Sequence, residues 1–236
     1  MKKPLMTLLI LLVMVLLFTA GCFAGSTGPE LISTDDAGTD YSSYRPGKDL
    51  TPETVNIGFL QFADIPALDS AREGIKKALN REGFTEGDNL TIRYQNAYGD
   101  FEKCLAITEE FKESDVDLII ATATPAVQAA AAAAKETPVV FAAVTDPRRA
   151  GVIKSWDVPG TNVTGVSDLN PVAALLEMLL AIVPDAKKLG VIYNHNEVNS
   201  IVQVELSREI AGELGVVIVE APVNDTGEVL NAVSEL

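Results

Sequence analysis

The chain has 236 residues, 47% of them hydrophobic and 22% charged, which suffices for one large domain or two small ones at roughly 100–200 residues each. Its 18 Lys and Arg against 33 Asp and Glu leave a net charge of -15, which repels phosphate backbones and anionic lipid headgroups and so argues against nucleic acid as a partner. One His and two Cys are too few for a structural zinc site of the usual kind or for a disulfide network.

Lys2 and Lys3 precede an apolar run from Leu5 to Phe18, a length that suits the apolar region of a signal peptide and is short for a membrane span. Thr19, Ala20 and Gly21 then lead to Cys22, the layout of a lipoprotein signal in which the cysteine becomes the lipidated N-terminus. The usual pattern has Leu, Val or Ile where Thr19 stands, and the alternative is an uncleaved membrane anchor. Either way residues 22–236 lie outside the cytoplasm, with residues 1–21 as the signal segment. Removal of the two lysines takes the net charge from -15 to -17. Residues 22–54 are rich in Ser, Thr, Gly, Asp and Pro, and read as a flexible tether. At ~5–6 Å × √n, such a tether reaches some tens of ångströms from a membrane.

From Val55 onward, strand and helix patterns alternate. Strands are expected at Val55–Leu60, Leu90–Ala97, Asp117–Ala123, Pro138–Val144, Lys188–Asn194 and Gly215–Glu220, with a short strand or crossover at Asn162–Asp168. Helices are expected at Ala67–Arg81, Asp100–Glu113, Thr124–Ala134, Pro171–Val183, Asn199–Leu214 and from Gly227 to Leu236. Asp100 and Thr124 are natural N-caps, and Pro125 fits a first helical turn. Cys104 shares a helical stripe with Ile107 and Phe111, which marks it as a buried, inert thiol. The rhythm predicts an α/β fold with two doubly wound parallel-sheet lobes, 55–165 and 166–236. The second run holds two clear strands and the chain stops inside a helix, so the second lobe is expected to be incomplete here.

No P-loop, G-x-G-x-x-G, G-x-S-x-G or H-E-x-x-H is present. His195 stands in a loop without a nucleophile or metal ligands beside it, and reads as a polar loop residue. Parallel α/β sheets bind ligands beyond the carboxyl ends of their strands. The segments there carry Phe62, Asp64 and Pro66; Ala123, Thr124, Pro125 and Ala126; Thr145 and Asp146; Ser167 and Asp168; and, from the second lobe, Tyr193, Asn194, Asn199 and Ser200. Hydroxyls and N–H groups at Thr124–Ala126 suit a carboxylate, and Asp146 or Asp168 an ammonium group. Phe62, Pro66 and Tyr193 could wall an apolar side chain. That mixture fits a small zwitterion. Each residue also has an ordinary structural role open to it: Thr124, Asp168 and Ser200 would each cap a helix in any case.

The segments LQFADIPALDSAREGIKKAL, IIATATPAVQAA, TPVVFAAVTDP, NVTGVSDLNPV and GVIYNHNEVNS resemble the ABC-transporter substrate-binding proteins, in particular the tryptophan/tyrosine-binding lipoproteins. The resemblance runs from about Val55 to the end. It implies a type I periplasmic-binding-protein fold whose two lobes close on a ligand between them. It further implies a small amino-acid-like ligand of aromatic type, delivery to an ABC permease in the membrane, a monomer, and neither catalysis nor a cofactor. The family's chains run further, so contacts from their later part are expected to be missing here. Two other classes stay open at this point, an extracytoplasmic α/β hydrolase and a sensory receptor domain.

Overall fold

The structure, a computed structural model, describes residues 54–236. The signal segment, Cys22 and nearly all of the tether lie outside the described residues. Among the described residues no helix is long and apolar enough to cross a membrane.

Short β-branched and aromatic runs form five parallel strands: β1 (Val55–Gln61), β2 (Leu90–Asn96), β3 (Leu118–Thr122), β4 (Val139–Val144) and β5 (Val163–Ser167). They join in the order β2-β1-β3-β4-β5. The short segment Asn162–Asp168, expected as a strand or a crossover, thus contributes a strand to the first sheet. It lies so close to β4 that a Cβ on Gly165 would stand 2.1 Å from the Phe141 carbonyl oxygen.

Helix α1 (Pro66–Arg81) covers one face, over a core of Ile57, Phe59, Leu90 and Ile120. Helices α2 (Phe101–Glu113) and α3 (Thr124–Ala133) cover the other, burying Cys104, Ile107, Phe111 and Val127 against Leu60, Ile119, Ala121 and Phe141. Asp100 caps α2 as expected, accepting the Lys103 N–H at 3.1 Å. Burial, and then the neighbouring Asp100 charge, push the Cys104 thiol up to about 12, so it stays protonated and inert.

Helix α4 (Val172–Ile182) leads to a second sheet of two parallel strands, β6 (Lys188–Asn194) and β7 (Val217–Val223), joined by α5 (Val198–Glu213). The last strand begins and ends later than its hydrophobic pattern predicts and takes in Pro222, which an edge strand tolerates. Helix α6 (Val229–Glu235) packs on the face that holds Ile192, Ala221 and Val223.

Candidate functional site

A sheet of order 2-1-3-4-5 reverses its winding between β1 and β3, and the crevice opens at the carboxyl ends of those two strands. Their last residues, Gln61 and Thr122, are register partners, and the Phe62 N–H bonds the Thr122 carbonyl at 3.3 Å. Buried polar side chains concentrate at this edge. Of the six in the described chain, Gln61, Asn96, Thr122, Thr124 and Thr145 lie at or just beyond strand ends, Thr124 as the first residue of α3, and Thr108 alone lies in the middle of a helix. Gln61 is fully satisfied. Its amide donates to the Ala63 carbonyl at 2.9 Å and to Asp69 at 3.0 Å, and its carbonyl accepts from Arg72 at 2.7 Å. Arg72 also lies over the Tyr94 ring, 4.4 Å from its centroid. This cluster fixes the loop after β1.

Thr122 differs. It is 0% exposed and its hydroxyl has no partner. Next to it Ala123 adopts φ 76°, ψ 150°, a region that glycine alone occupies readily, and its N–H bonds the Ala142 carbonyl at 3.2 Å. Ala123, and not Thr124, is the N-cap of α3, and no side chain caps that helix. The first bond into the cap is that of the Val127 N–H to the Ala123 carbonyl, so the N–H groups of Thr124 and Ala126 precede the helical ladder. Pro125 has no N–H to orphan.

Two neighbouring loops complete the edge. The Asp168 N–H bonds the Val144 carbonyl at 3.3 Å, and the Ser167 hydroxyl donates to the Thr145 carbonyl at 2.8 Å. Asp168 is exposed by surface area, yet enough protein surrounds its carboxyl for burial to raise its pKa. Its own N–H and the Thr145 hydroxyl pull the other way. Asp168 caps no helix, since α4 starts from Pro171. Asp146 is already occupied as a turn residue: its Oδ1 accepts the N–H groups of Arg148 at 3.0 Å and Arg149 at 3.1 Å. Phe62 is half-buried against the α2/α3 core, while Asp64 and Pro66 are exposed.

In the second sheet, Asn194 and Asn199 are drawn together by Glu197, which accepts from both amides, at 3.0 and 3.3 Å. The Asn199 carbonyl oxygen is buried without a partner. Ser200 lies inside α5, whose cap is Glu197, so it too fails as a cap. Tyr193 departs from its expected place. Strand alternation puts it on the α5 face of the sheet, where its hydroxyl donates to Glu220 at 3.0 Å. Glu220 is also bonded by Arg208 of α5. His195 is exposed. No group of acidic, His or Cys side chains among the described residues could hold a metal ion.

Helix α5 reaches the first sheet's edge. Asn170 donates to Gln203 at 2.7 Å, and Arg149 pairs with Glu205. A model of the ABC transporter substrate-binding protein family matches residues 56–236. The chain belongs to that family. It is 42% identical over 181 residues to a tyrosine-binding protein of Clostridioides difficile, covering 77% of this chain and 52% of that one. A Streptococcus pneumoniae ABC domain solved in complex with L-Trp superposes with a TM-score of 0.74 at 37% identity, over 76% of this chain and 61% of that one. A ligand-free, open substrate-binding protein with adhesive properties from Clostridium difficile gives 0.61 at 42% identity, over 77% and 62%. The backbone superposes better on the tryptophan complex than on the open structure, although the open structure is the more similar in sequence. The chain spans about half the length of its curated relative. Its parallel sheets with alternating helices have the type I periplasmic-binding-protein fold.

Sequence reasoning missed Gln61, Arg72, Tyr94 and Thr122. A signal for two of them was present: Gln61 and Thr122 are polar residues that directly follow apolar stretches, Ile57–Leu60 and Leu118–Ala121, at the ends of their strands.

Proposed function

We propose that this protein is the solute receptor of an ABC importer, outside the cytoplasm, which holds an amino acid between two lobes and delivers it to a membrane permease without chemical change. The observation that carries the reading is the buried, partnerless hydroxyl of Thr122 at the switch point of the first sheet, beside the N–H groups that open α3. The second sheet offers a matching atom, the unpartnered carbonyl oxygen of Asn199. Buried polar atoms are ordinarily paired, so two orphans at strand and helix ends favour a ligand that pairs them. A carboxylate suits Thr122, Thr124 and the Ala126 N–H. An ammonium suits Asp168 and the Asn199 oxygen. The tyrosine and tryptophan ligands of the relatives support an aromatic side chain, with Phe62 as one wall.

Thr122→Val removes the hydroxyl and keeps the shape. A charge-assisted hydrogen bond is worth roughly 1.5–3 kcal/mol, so titration of the complete natural chain with L-tyrosine and L-tryptophan should show affinity lowered about ten-fold or more. The ligand-free melting temperature should hold or rise. Wild-type affinity in the variant would remove Thr122 from the site.

Anchoring through a lipidated Cys22 belongs to the same reading, since the tether of residues 22–54 lets a receptor stay close to its permease. Cys22→Ser should release the protein from membranes or arrest its maturation. Undiminished membrane retention with an unmodified wild-type Cys22 by mass spectrometry would refute it.

A further inference from the structure

The lobes meet through a chain of alternating charges outside the proposed ligand site. Arg149 stands on the turn after β4, and its N–H is fixed by Asp146 Oδ1 at 3.1 Å. Its guanidinium pairs with Glu205, in the middle of α5, across 56 residues of sequence. Arg208 follows Glu205 by three residues and so lies on the same helical face. It is committed to Glu220, with its Nε at 2.9 Å, and Glu220 also receives the Tyr193 hydroxyl. Among these charges, parting the two sheets would break only the Arg149–Glu205 link, because every member after Glu205 belongs to α5, β6 or β7; the neutral Asn170–Gln203 hydrogen bond beside it would part as well. Glu205 would still have a cation one turn away.

Building on the receptor reading above, we propose that Glu205 is a switchable tie between the lobes, paired with Arg149 when the cleft is shut and with Arg208 when it is open. Both side chains of the interlobe pair are 43% exposed, which makes the tie weak. A weak tie fits a receptor that must both close and release. It biases the closed form by a small factor and leaves the decision to the ligand, which contacts both lobes only when they are closed. The Arg149 hydrogen bond, its charge and then the Arg208 charge all hold the Glu205 carboxyl below the usual range, in keeping with a carboxylate served by cations on both sides.

The test measures the interlobe distance by single-molecule energy transfer in the complete natural chain, with one label per lobe, at ionic strengths of about 0.01 M and about 1 M. At low salt, Arg149→Gln and Glu205→Gln should each raise the open-to-closed ratio of ligand-free molecules about 1.4- to five-fold, the range for exposed pairs. The double swap Arg149→Glu with Glu205→Arg should return most of the closed fraction, and high salt should erase the differences. Arg208→Gln should lower the open fraction, since it removes the partner of the open state. Open fractions equal to wild type in Arg149→Gln and Glu205→Gln at low salt would overturn the tie, and an unchanged fraction in Arg208→Gln would overturn the switch. These ligand-free distances decide the tie by themselves. Titration of the wild type with L-tyrosine and L-tryptophan decides the receptor reading separately.

Discussion

The Arg72 guanidinium donates to the side-chain carbonyl of Gln61 at 2.7 Å, although one belongs to helix α1 and the other is the last, wholly buried residue of β1. The pair turns a strand end that would otherwise bury an unsatisfied amide into a rigid corner. The same guanidinium bonds Asp69 at 3.0 Å and covers the Tyr94 ring. Arg72→Leu should therefore cost about 1–3 kcal/mol, the penalty for a stranded buried acceptor, and should loosen the loop that carries Phe62. Chemical denaturation checks the first effect and ligand titration the second. Arg72→Leu with Gln61→Leu should recover part of the stability, because both polar partners are then gone.

The backbone of Ala123 makes the second prediction. At φ 76° and ψ 150° it lies where a β-carbon costs about 1–3 kcal/mol. Ala to Gly usually destabilises, but Ala123→Gly should leave the melting temperature unchanged or raise it. It should also weaken binding, because a more mobile corner no longer holds the N–H groups of Thr124 and Ala126 in place. A variant that melts well below wild type would show that the corner is unstrained.

Asp168 gives the pH dependence. Burial raises its pKa in the folded chain, so the folded state binds more protons than the unfolded one between the ordinary Asp value of 3.8 and the raised value. Its contribution favours folding below that window and is lost as pH rises through it. Ligand binding has the opposite sign: an ammonium needs the carboxylate, so affinity should fall as pH drops into the window. Asp168→Asn should flatten the pH dependence of binding and weaken it at neutral pH, with folding at neutral pH unchanged or improved. Calorimetric titrations at several pH values test both signs.

Much of the architecture was legible because each element carries its own period. The apolar strands β1, β3, β4 and β6 and the amphipathic helices α1 and α2 fall where their patterns place them, and the strand ends name the loops of the candidate site. What local pattern could not supply is side-chain direction and partner choice. Thr124, Asp168 and Ser200 are good capping residues by type, yet the cap positions go to Ala123, Pro171 and Glu197, none of which caps through its side chain. Tyr193 follows a two-residue period from Leu189 and Val191 onto the α5 face, a direction that the loop context obscured. The Gln61–Arg72–Tyr94 cluster joins three elements and exists only once they pack. Asn162 shows the same limit: it resembles a glycosylation sequon, but its amide ties the end of α3 to β5 by donating to the Ala134 and Thr137 carbonyls at 2.5 and 2.6 Å.

In the proposed function, an amino acid is clamped between the lobes by its charged groups. The most direct measurement is calorimetric titration of the complete natural chain with L-tryptophan, L-tyrosine and the analogue of each that lacks the α-ammonium. One-to-one binding of the amino acids with a negative heat-capacity change, and at least about ten-fold weaker binding of the analogues, is the expected result. Binding of the analogues as tight as that of the amino acids, or no binding of either amino acid, would contradict the account.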